Sequence, residues 1–297
     1  MDGQKPRSAS GDPEAPPGWP ASRPWAGSGW LDIEEARSAV GLRVTDSPYW
    51  GAWWAQALRA ILFVKRIPYE KVVHPPYRDG EPDAQRALFD WTAQTSVPTM
   101  AYRATPQGED IIRNDWLGQL MLAERIEPQP SLIPSNPRER ILMIGVASEI
   151  MSPQGLLWQA RLAMSELYRT AQMTPKQRAF FGHGEFLGGK YSFVANGEPP
   201  LENVKRGLRL LDTLLAENQA RGSAFFVGDA LSALDIYWVY ASNMASLLPP
   251  EDLPVMRFNR EMYTGINEAL ASVLTERLLA HRDRVLRNHL ECPVVVD

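Results

Sequence analysis

Cysteine and histidine are both scarce in this sequence, which has one cysteine and four histidines among 297 residues. The single thiol, Cys292, cannot form an internal disulfide or a thiolate metal site. The histidines are scattered along the chain without the spacing of zinc ligands. We therefore expect neither a disulfide nor a metal cofactor.

An excess of basic residues is also missing, since the formal net charge is -4. Nucleic-acid binding requires clustered Lys and Arg that neutralise phosphates, so we expect no nucleic-acid partner. No apolar run approaches the length that spans a bilayer, and the start of the sequence lacks the apolar core of a signal peptide. We therefore expect a cytoplasmic protein without a membrane partner. With 44% hydrophobic residues, the chain can form a globular core.

The N-terminal segment differs in composition from the rest of the chain. Pro, Gly and Ser are frequent in residues 1–30, and neither a helical nor a strand period is present there. We predict a disordered or loosely packed tail over residues 1–38. Its tryptophans, Trp19, Trp25 and Trp30, could instead dock onto the folded body.

Residues 39–127 alternate between strand and helix patterns. Apolar residues at Trp54, Leu58, Ile61 and Leu62 lie on one face of a helix, which Pro68 ends. The predicted elements are a strand at 41–45, this helix, a strand at 69–73, a helix at 83–91, strands at 97–102 and 110–113, and a helix from Asn114.

Four prolines between residues 128 and 137 mark a linker, which we place at 128–136. All later patterns, over residues 137–297, have a helical period. The predicted helices lie at about 138–151, 155–173, 201–220, 232–247 and 267–290. A mixed half followed by an all-helical half gives the fold class α+β.

Three stretches resemble the glutathione transferase superfamily, and with the C-terminal residues they cover residues 41 to 291. The first is Ser47-Pro48-Tyr49, followed by a helix with Arg59 that closes on Ile67-Pro68-Tyr69-Glu70. The second is Ser96-Val97-Pro98, and the third runs from Gly228 to Ile236. The resemblance implies a thioredoxin-like, glutathione-binding domain followed by an all-α domain. It also implies glutathione as co-substrate and a homodimer.

The third stretch has a physical interpretation of its own. Ser232 and Asp235 have the spacing of a capping box, which satisfies free N–H groups at a helix start. The helix that follows is apolar nearly all round, which predicts a buried position at the centre of the helical half. We therefore expect a structural role for both residues.

The resemblance also implies part of a glutathione site. In the family the bond before the proline of the second stretch is cis, and the preceding residue's main chain pairs with the cysteinyl part of glutathione. This implicates Val97 and Pro98, and we predict a cis Val97–Pro98 bond.

A hydroxyl that stabilises the thiolate is expected at the end of the first strand, where Thr45, Ser47 and Tyr49 are candidates. The serine or cysteine position of many bacterial classes falls on 52–54, whose residues have neither a hydroxyl nor a thiol. We predict Tyr49 as the catalytic residue, with Ser47 as the second candidate. Both could instead be turn residues that flank a proline.

Asn114 and Asp115 occupy the start of the third helix of this domain, where family members receive the glutamyl carboxylate of glutathione. Asp115 would repel that carboxylate. It could instead pair with the glutamyl ammonium while Arg113 or Gln94 offsets the carboxylate, or the two residues could be a plain helix cap. The predicted glutathione-binding residues are Val97, Pro98, Asn114, Asp115 and Gln94.

Two functions follow as hypotheses. The first is an enzyme that activates the thiol of glutathione for attack on a hydrophobic electrophile. The second is a binding or regulatory protein that has the fold without catalysis. A thiol–disulfide oxidoreductase is excluded because no cysteine lies near the site. Tryptophans at 50, 53 and 54 could line an acceptor pocket or pack against the helical half.

Overall fold

The computed structural model describes residues 29–47, 52–74, 85–170, 199–255 and 257–296. The N-terminal half consists of α1 (Ile33–Ser38), β1 (Gly41–Asp46), α2 (Trp53–Val64), β2 (Glu70–Val73), α3 (Arg86–Thr92), β3 (Met100–Arg103), β4 (Ile111–Arg113) and α4 (Trp116–Ile126). The helical half consists of α5 (Pro137–Met151), α6 (Leu156–Thr170), α7 (Pro200–Ala220), α8 (Ala233–Ala241), α9 (Arg257–Leu270) and α10 (Glu276–His289).

The four strands form one mixed sheet in the order β2-β1-β3-β4. Strand β1 is parallel to β2 and antiparallel to β3, with Val44 opposite Met100. Strand β4 is antiparallel to β3. This sheet and the helical half that follows it confirm the α+β prediction, with a thioredoxin-like N-terminal half.

The helices of the N-terminal half cover both faces of the sheet. Helices α1 and α3 form a small core on one face with Val72 of β2. Helices α2 and α4 contact each other on the other face, above Leu42 and Val44 of β1. Helix α2 also packs against α8, so one continuous apolar core extends from the sheet into the helical half.

Order begins earlier in the chain than the sequence predicted. Asp32 caps α1 by accepting a hydrogen bond from the Glu35 N–H at 2.8 Å, and the Glu35 carboxylate accepts from the Asp32 N–H at 2.9 Å. The predicted tail at 1–38 is therefore wrong for residues 31–38, because a six-residue helix is too short to show a period. Trp30 is docked, with 7% of its surface exposed and Lys71 over its ring. Residues 1–28, with Trp19 and Trp25, lie outside the described residues.

Two predicted helices of the helical half are shorter than expected. The helix predicted at 232–247 ends at Ala241 and continues as a 3-10 turn over Ser242–Met244. Buried Asn243 ends it, since its side chain donates to the Val239 and Tyr240 carbonyls and accepts from the Leu248 N–H. The helix predicted at 267–290 is in fact the end of α9 and all of α10. Thr275 starts α10 by accepting from the Leu278 N–H at 3.3 Å.

The stretch Pro137–Leu167 is more apolar than the sequence analysis recognised. An 18-residue window in it has a mean hydropathy of 1.3, which by length and composition would allow a membrane span. In the fold the stretch is interrupted at 152–155 and forms the two helices α5 and α6. Several of its apolar side chains belong to the continuous core, which accounts for its hydropathy.

Candidate functional site

The end of β1 and the start of β3 lie side by side. The Thr45 N–H donates to the Thr99 carbonyl at 3.0 Å, and the Thr99 N–H donates to the Thr45 hydroxyl at 2.8 Å. Continuing the register of Val44 with Met100 by three residues places Ser47 opposite Val97. The antiparallel pairing therefore brings two of the predicted site residues to the same edge of the sheet.

The Val97–Pro98 peptide bond is cis, as predicted. Pro98 is buried and Val97 is half-buried. The side chain of Gln119, on α4, donates to the Pro98 carbonyl at 2.9 Å, and only 4% of its surface is exposed. Among the described residues, the Val97 N–H and carbonyl have no hydrogen-bond partner. The Val97 main chain is therefore available to a peptide ligand.

Ser47 follows a buried carboxylate at the end of β1. Asp46 is 3% exposed, and its carboxylate accepts from the Ser47 N–H at 2.7 Å. The other oxygen of Asp46 lies 3.4 Å from the Arg59 guanidinium, on α2. The hydrogen bond to Asp46 fixes the main chain of Ser47 at the end of the strand.

The N-terminus of α2 has no side-chain cap. Its N-cap residue is Ala52, and its first turn contains no acidic side chain. The first N–H groups of a helix have no acceptor within the helix, and they favour a negative charge nearby. Tyr49, the predicted catalytic residue, and Trp50 lie outside the described residues.

The remaining predicted residues meet at the start of α4. The Asn114 amide donates to the Gln94 amide oxygen at 2.5 Å, so the structure brings these two side chains together. Asp115 is the N-cap of α4, and its exposed carboxylate accepts from the Gly118 N–H at 2.7 Å. Asp115 therefore caps α4 in this structure, which is one of the roles considered for it above.

A buried tyrosine lies close to this helix start but is unsuited to activating a thiol. Tyr237, on α8, donates a hydrogen bond to the Trp116 carbonyl at 3.4 Å, and the two rings meet edge to face. Burial raises the pKa of Tyr237, and the negative charge of Asp115 raises it further. Tyr237 is therefore a core residue whose hydroxyl is buried and already donates its proton to the Trp116 carbonyl, so it is not available to a thiolate.

Aromatic side chains connect the start of α2 to the helical half. Trp53 is buried against Tyr263 of α9, with ring centres 5.5 Å apart. Trp54 meets Trp158 of α6 edge to face at 5.7 Å and donates to the Met151 carbonyl. Arg161 lies over the Trp158 ring. Both tryptophans of α2 therefore pack against the helical half, the second of the two roles considered for them.

The helical half contributes residues to this region that no sequence pattern predicted. Trp158, Arg161 and Tyr263 are more than 90 residues from α2 along the chain, and no local motif marks them. Only the tertiary packing shows that they border its N-terminus. Among the described residues, no group of three or more His, Cys, Asp or Glu side chains could hold a metal ion.

No model of a protein family matches this sequence, and no curated protein matches it. Solved structures do match it. A glutathione S-transferase from Xanthobacter autotrophicus Py2 shares 12% of its sequence and superposes with a TM-score of 0.51, covering 86% of this chain and 97% of that one. The similarity at this level establishes a shared fold.

Two further structures match over similar lengths with lower TM-scores. A monomeric glutathione S-transferase from the hookworm Necator americanus has 15% identity and a TM-score of 0.48, covering 84% of this chain and 93% of that one. Maleylacetoacetate isomerase from Anaeromyxobacter dehalogenans 2CP-1, with glutathione bound in its active site, has 18% identity and a TM-score of 0.43. The match covers 83% of this chain and 97% of the isomerase.

Proposed function

We propose that this chain, which has the glutathione S-transferase fold, binds glutathione at the edge of its sheet and activates the thiol for attack on a hydrophobic electrophile. The observation that carries the proposal is the Val97 main chain, whose N–H and carbonyl have no partner among the described residues. A peptide group without a partner in the protein can pair with the main chain of a ligand. The cysteinyl residue of glutathione would satisfy both of its groups.

The start of α2 supports the chemical part of the proposal. A free thiol has a pKa of about 8.5, and a helix N-terminus or a hydrogen-bond donor lowers it. The first turn of α2 has no side-chain cap and no acidic residue, so its positive end is open to a thiolate. Tyr49, which precedes α2 in the sequence, would donate its hydroxyl proton to the sulfur in a hydrogen bond.

The reaction needs no covalent bond to the protein. Glutathione loses its thiol proton to solvent, and the thiolate uses an electron pair to form a carbon–sulfur bond with the electrophile. The electrophile either expels a leaving group with its bonding pair or accepts the pair into a conjugated system. Trp54 and Trp158 are half-buried beside the start of α2 and would border the apolar acceptor.

Asp115 favours a second candidate function, a glutathione transferase-like protein that binds or regulates without catalysis. Its carboxylate already occupies the N-terminus of α4, where it accepts from the Gly118 N–H. Glutathione would have to bring its own glutamyl carboxylate close to this charge. If that repulsion prevents productive binding, the fold serves another ligand or partner.

One titration and one assay separate the two functions. Glutathione is titrated into the protein by calorimetry, and turnover is then measured with 1-chloro-2,4-dinitrobenzene as electrophile. Saturable binding with turnover above the uncatalysed rate supports the enzyme. Binding without turnover, or the absence of glutathione binding, contradicts the enzyme and supports the second candidate.

A substitution that removes the N–H of residue 97 tests the observation on which the proposal depends. Val97→Pro removes the N–H that would pair with glutathione, and Val97→Ala is its matched control because it retains that N–H. We expect Val97→Pro to weaken binding about tenfold and Val97→Ala to bind like the wild type. Equal affinities in the two variants would remove the Val97 main chain from the site.

We also propose a cytoplasmic homodimer with a two-fold, isologous interface. The exposed apolar side chains that support it are Met121 on α4 and Ile141 and Leu142 on α5, all of which are more than 40% exposed. Light scattering at micromolar concentration should give twice the mass of the chain, and a monomeric mass would contradict the proposal.

A further inference from the structure

The carbonyl groups on both sides of Val97 are hydrogen-bonded to side chains of the protein. The carbonyls of Thr95, Ser96 and Pro98 each accept from a side chain, at 2.9, 2.8 and 2.9 Å. Val97 lies among them, and its own N–H and carbonyl have no partner among the described residues. The main chain is therefore fixed around Val97, while the peptide groups of Val97 itself stay open to a ligand.

The segment that carries Val97 belongs to no regular element. It follows α3, which ends at Thr92, and precedes β3, which begins at Met100. A loop that becomes ordered only when a ligand binds loses conformational entropy at that moment, which weakens binding. Hydrogen bonds that fix the loop beforehand remove this cost. The side chains that hold the carbonyls can therefore influence ligand affinity without contacting the ligand.

His74 reaches this segment from the end of β2. It is 8% exposed, and its N–H donates to the Asp46 carbonyl at 2.9 Å. Strands β2 and β3 lie on opposite sides of β1, so the His74 ring crosses the end of β1 to meet the Thr95 carbonyl. A carbonyl can only accept, so Nε2 of His74 carries the proton. His74 thereby attaches the residues before Val97 to the end of β2.

Gln119 approaches the same segment from α4 and is 4% exposed. Its amide nitrogen lies 2.9 Å from the Pro98 carbonyl and 3.4 Å from the Arg113 carbonyl. Both partners can only accept, so the amide nitrogen and not the amide oxygen faces them. Arg113 ends β4, directly before the helix start at which the glutamyl part of glutathione is expected. One buried side chain therefore connects the residue after Val97 to that helix start.

We propose that His74 and Gln119 are positioning residues for glutathione, which hold the Val97 main chain in the geometry that pairs with the cysteinyl residue. Both act through Val97, because their donors are already bonded to carbonyls of the protein. The inference rests on the proposed binding of glutathione at the sheet edge. It assigns the two residues a role in glutathione affinity and none in the ionisation of the thiol.

Gln119→Met tests the contribution from α4, since methionine has a similar length and no donor. Glutathione titrated into the full-chain variant by calorimetry should bind about three- to tenfold more weakly. Gln159→Met is the matched control, because Gln159 on α6 is also 4% exposed and bonds to Gln154 and Asn203 in the helical half. Both variants should unfold about 2–4 °C lower than the wild type. Equal glutathione affinities in the two variants would overturn the proposal.

His74 is tested with a pair of variants that differ in the donor. His74→Phe retains a planar ring without an N–H, and it should weaken glutathione binding about three- to tenfold. His74→Gln places an amide N–H at a similar reach and should restore the affinity to within about twofold of the wild type. A role in packing alone would favour phenylalanine over glutamine. A His74→Gln variant that binds as weakly as His74→Phe would therefore contradict the assignment.

A double-mutant cycle determines whether the two residues act through Val97. In a Val97→Pro background the N–H that pairs with glutathione is gone, so Gln119→Met and His74→Phe should each change the affinity by less than about twofold. The same three- to tenfold losses in this background would show that the two residues act elsewhere, which would overturn the proposal.

S-methylglutathione separates positioning from thiol chemistry. Because Val97 would pair with the main chain of the ligand, Gln119→Met and His74→Phe should weaken S-methylglutathione and glutathione by the same factor. A loss confined to glutathione would contradict the proposal. If the wild type does not bind glutathione, the proposed enzyme and this inference fail together. If it binds glutathione and the variants bind equally well, this inference alone fails.

Discussion

Two helix starts in this protein are built in opposite ways. At the start of α8, the Asp235 carboxylate is fully buried and accepts from the Ser232 N–H and hydroxyl, the Phe226 N–H and the His281 ring. At the start of α2, Ala52 offers no side-chain acceptor at all. The satisfied helix start holds the core of the helical half, whereas the open one lies at the edge of the sheet, where a ligand can supply the missing partner.

The hydrogen bonds around Asp235 also fix the tautomer of His281. The Arg284 guanidinium, which can only donate, lies 2.9 Å from Nδ1 of this ring. Nδ1 therefore accepts, and Nε2 donates its proton to Asp235 at 3.0 Å. The start of α8 is thereby connected to α10, so its polar groups have a structural role, as the sequence predicted.

Removing the Asp235 carboxylate, which accepts several buried hydrogen bonds, should have the largest effect on stability. Asp235→Ala leaves several buried donors without an acceptor, and we expect a loss of about 3–5 kcal/mol in the free energy of unfolding, measured with urea. Asp115→Ala, which removes an exposed cap from α4, is the control and should cost about 1 kcal/mol. Equal losses in the two variants would contradict the contrast between the buried carboxylate at the start of α8 and the exposed carboxylate at the start of α4.

The role of the open start of α2 is tested by removing the hydroxyl groups of Tyr49 and Ser47, which precede it in the sequence. Tyr49→Phe should lower the conjugation rate about ten- to a hundredfold, because it removes a charge-assisted hydrogen bond worth about 1.5–3 kcal/mol. Ser47→Ala should have little effect. If the two variants exchange these effects, Ser47 is the donor. If neither changes the rate, the main-chain N–H groups near Gly51 hold the thiolate, or the protein is not catalytic.

Asp110 is a second satisfied carboxylate, and it connects the hairpin of β3 and β4 to β1 and α3. It accepts from Arg43 at 2.5 Å, Trp91 at 2.8 Å and Arg103 at 2.9 Å. Burial alone would raise its pKa, but the hydrogen bonds from Trp91, Arg43 and Arg103 outweigh burial and lower it. Because the folded-state pKa lies below the unfolded value, this stabilisation is present at neutral pH and is lost as the pH falls through the folded-state pKa.

We therefore expect Asp110→Asn to lose about 1–2 kcal/mol at pH 7, and the difference from the wild type to shrink as the pH falls below about 4. Urea unfolding at several pH values measures this. Asp90→Asn is the control, since its ion pair with Arg86 is exposed and should contribute about 0–1 kcal/mol. A pH-independent difference for Asp110→Asn would show that its charge is not responsible.

The smallest effect on stability and on glutathione binding is expected at the start of α4, whose cap is exposed. Asp115→Ser retains a good N-cap and removes the negative charge, so stability should be unchanged. Glutathione should bind about two- to fivefold more tightly if its glutamyl carboxylate approaches this helix start. Weaker binding would show instead that Asp115 pairs with the glutamyl ammonium.

The parts of the fold that the sequence predicted are those that depend on neighbouring residues. The capping pattern of Ser232 and Asp235, the proline of Val97–Pro98 and the helical period of α2 all appear within a few positions of one another. Helix α1 was missed because six residues carry no clear period.

The parts that the sequence could not predict depend on residues far apart in the chain. The contact of Asp235 with His281 spans 46 residues, and the pairing of Trp54 with Trp158 joins two halves that no local pattern connects. The left-handed conformation of Arg66 is also invisible in the sequence, where glycine would be expected.

The proposed chemistry is tested most directly by a pH titration of glutathione bound to the protein. The ultraviolet absorbance of the thiolate is followed, with the complex of S-methylglutathione as the blank because it has no ionisable thiol. We predict that the bound thiol ionises at a pH clearly below its free value of about 8.5. Glutathione that binds but ionises at its free value would contradict activation of the thiol by the open start of α2.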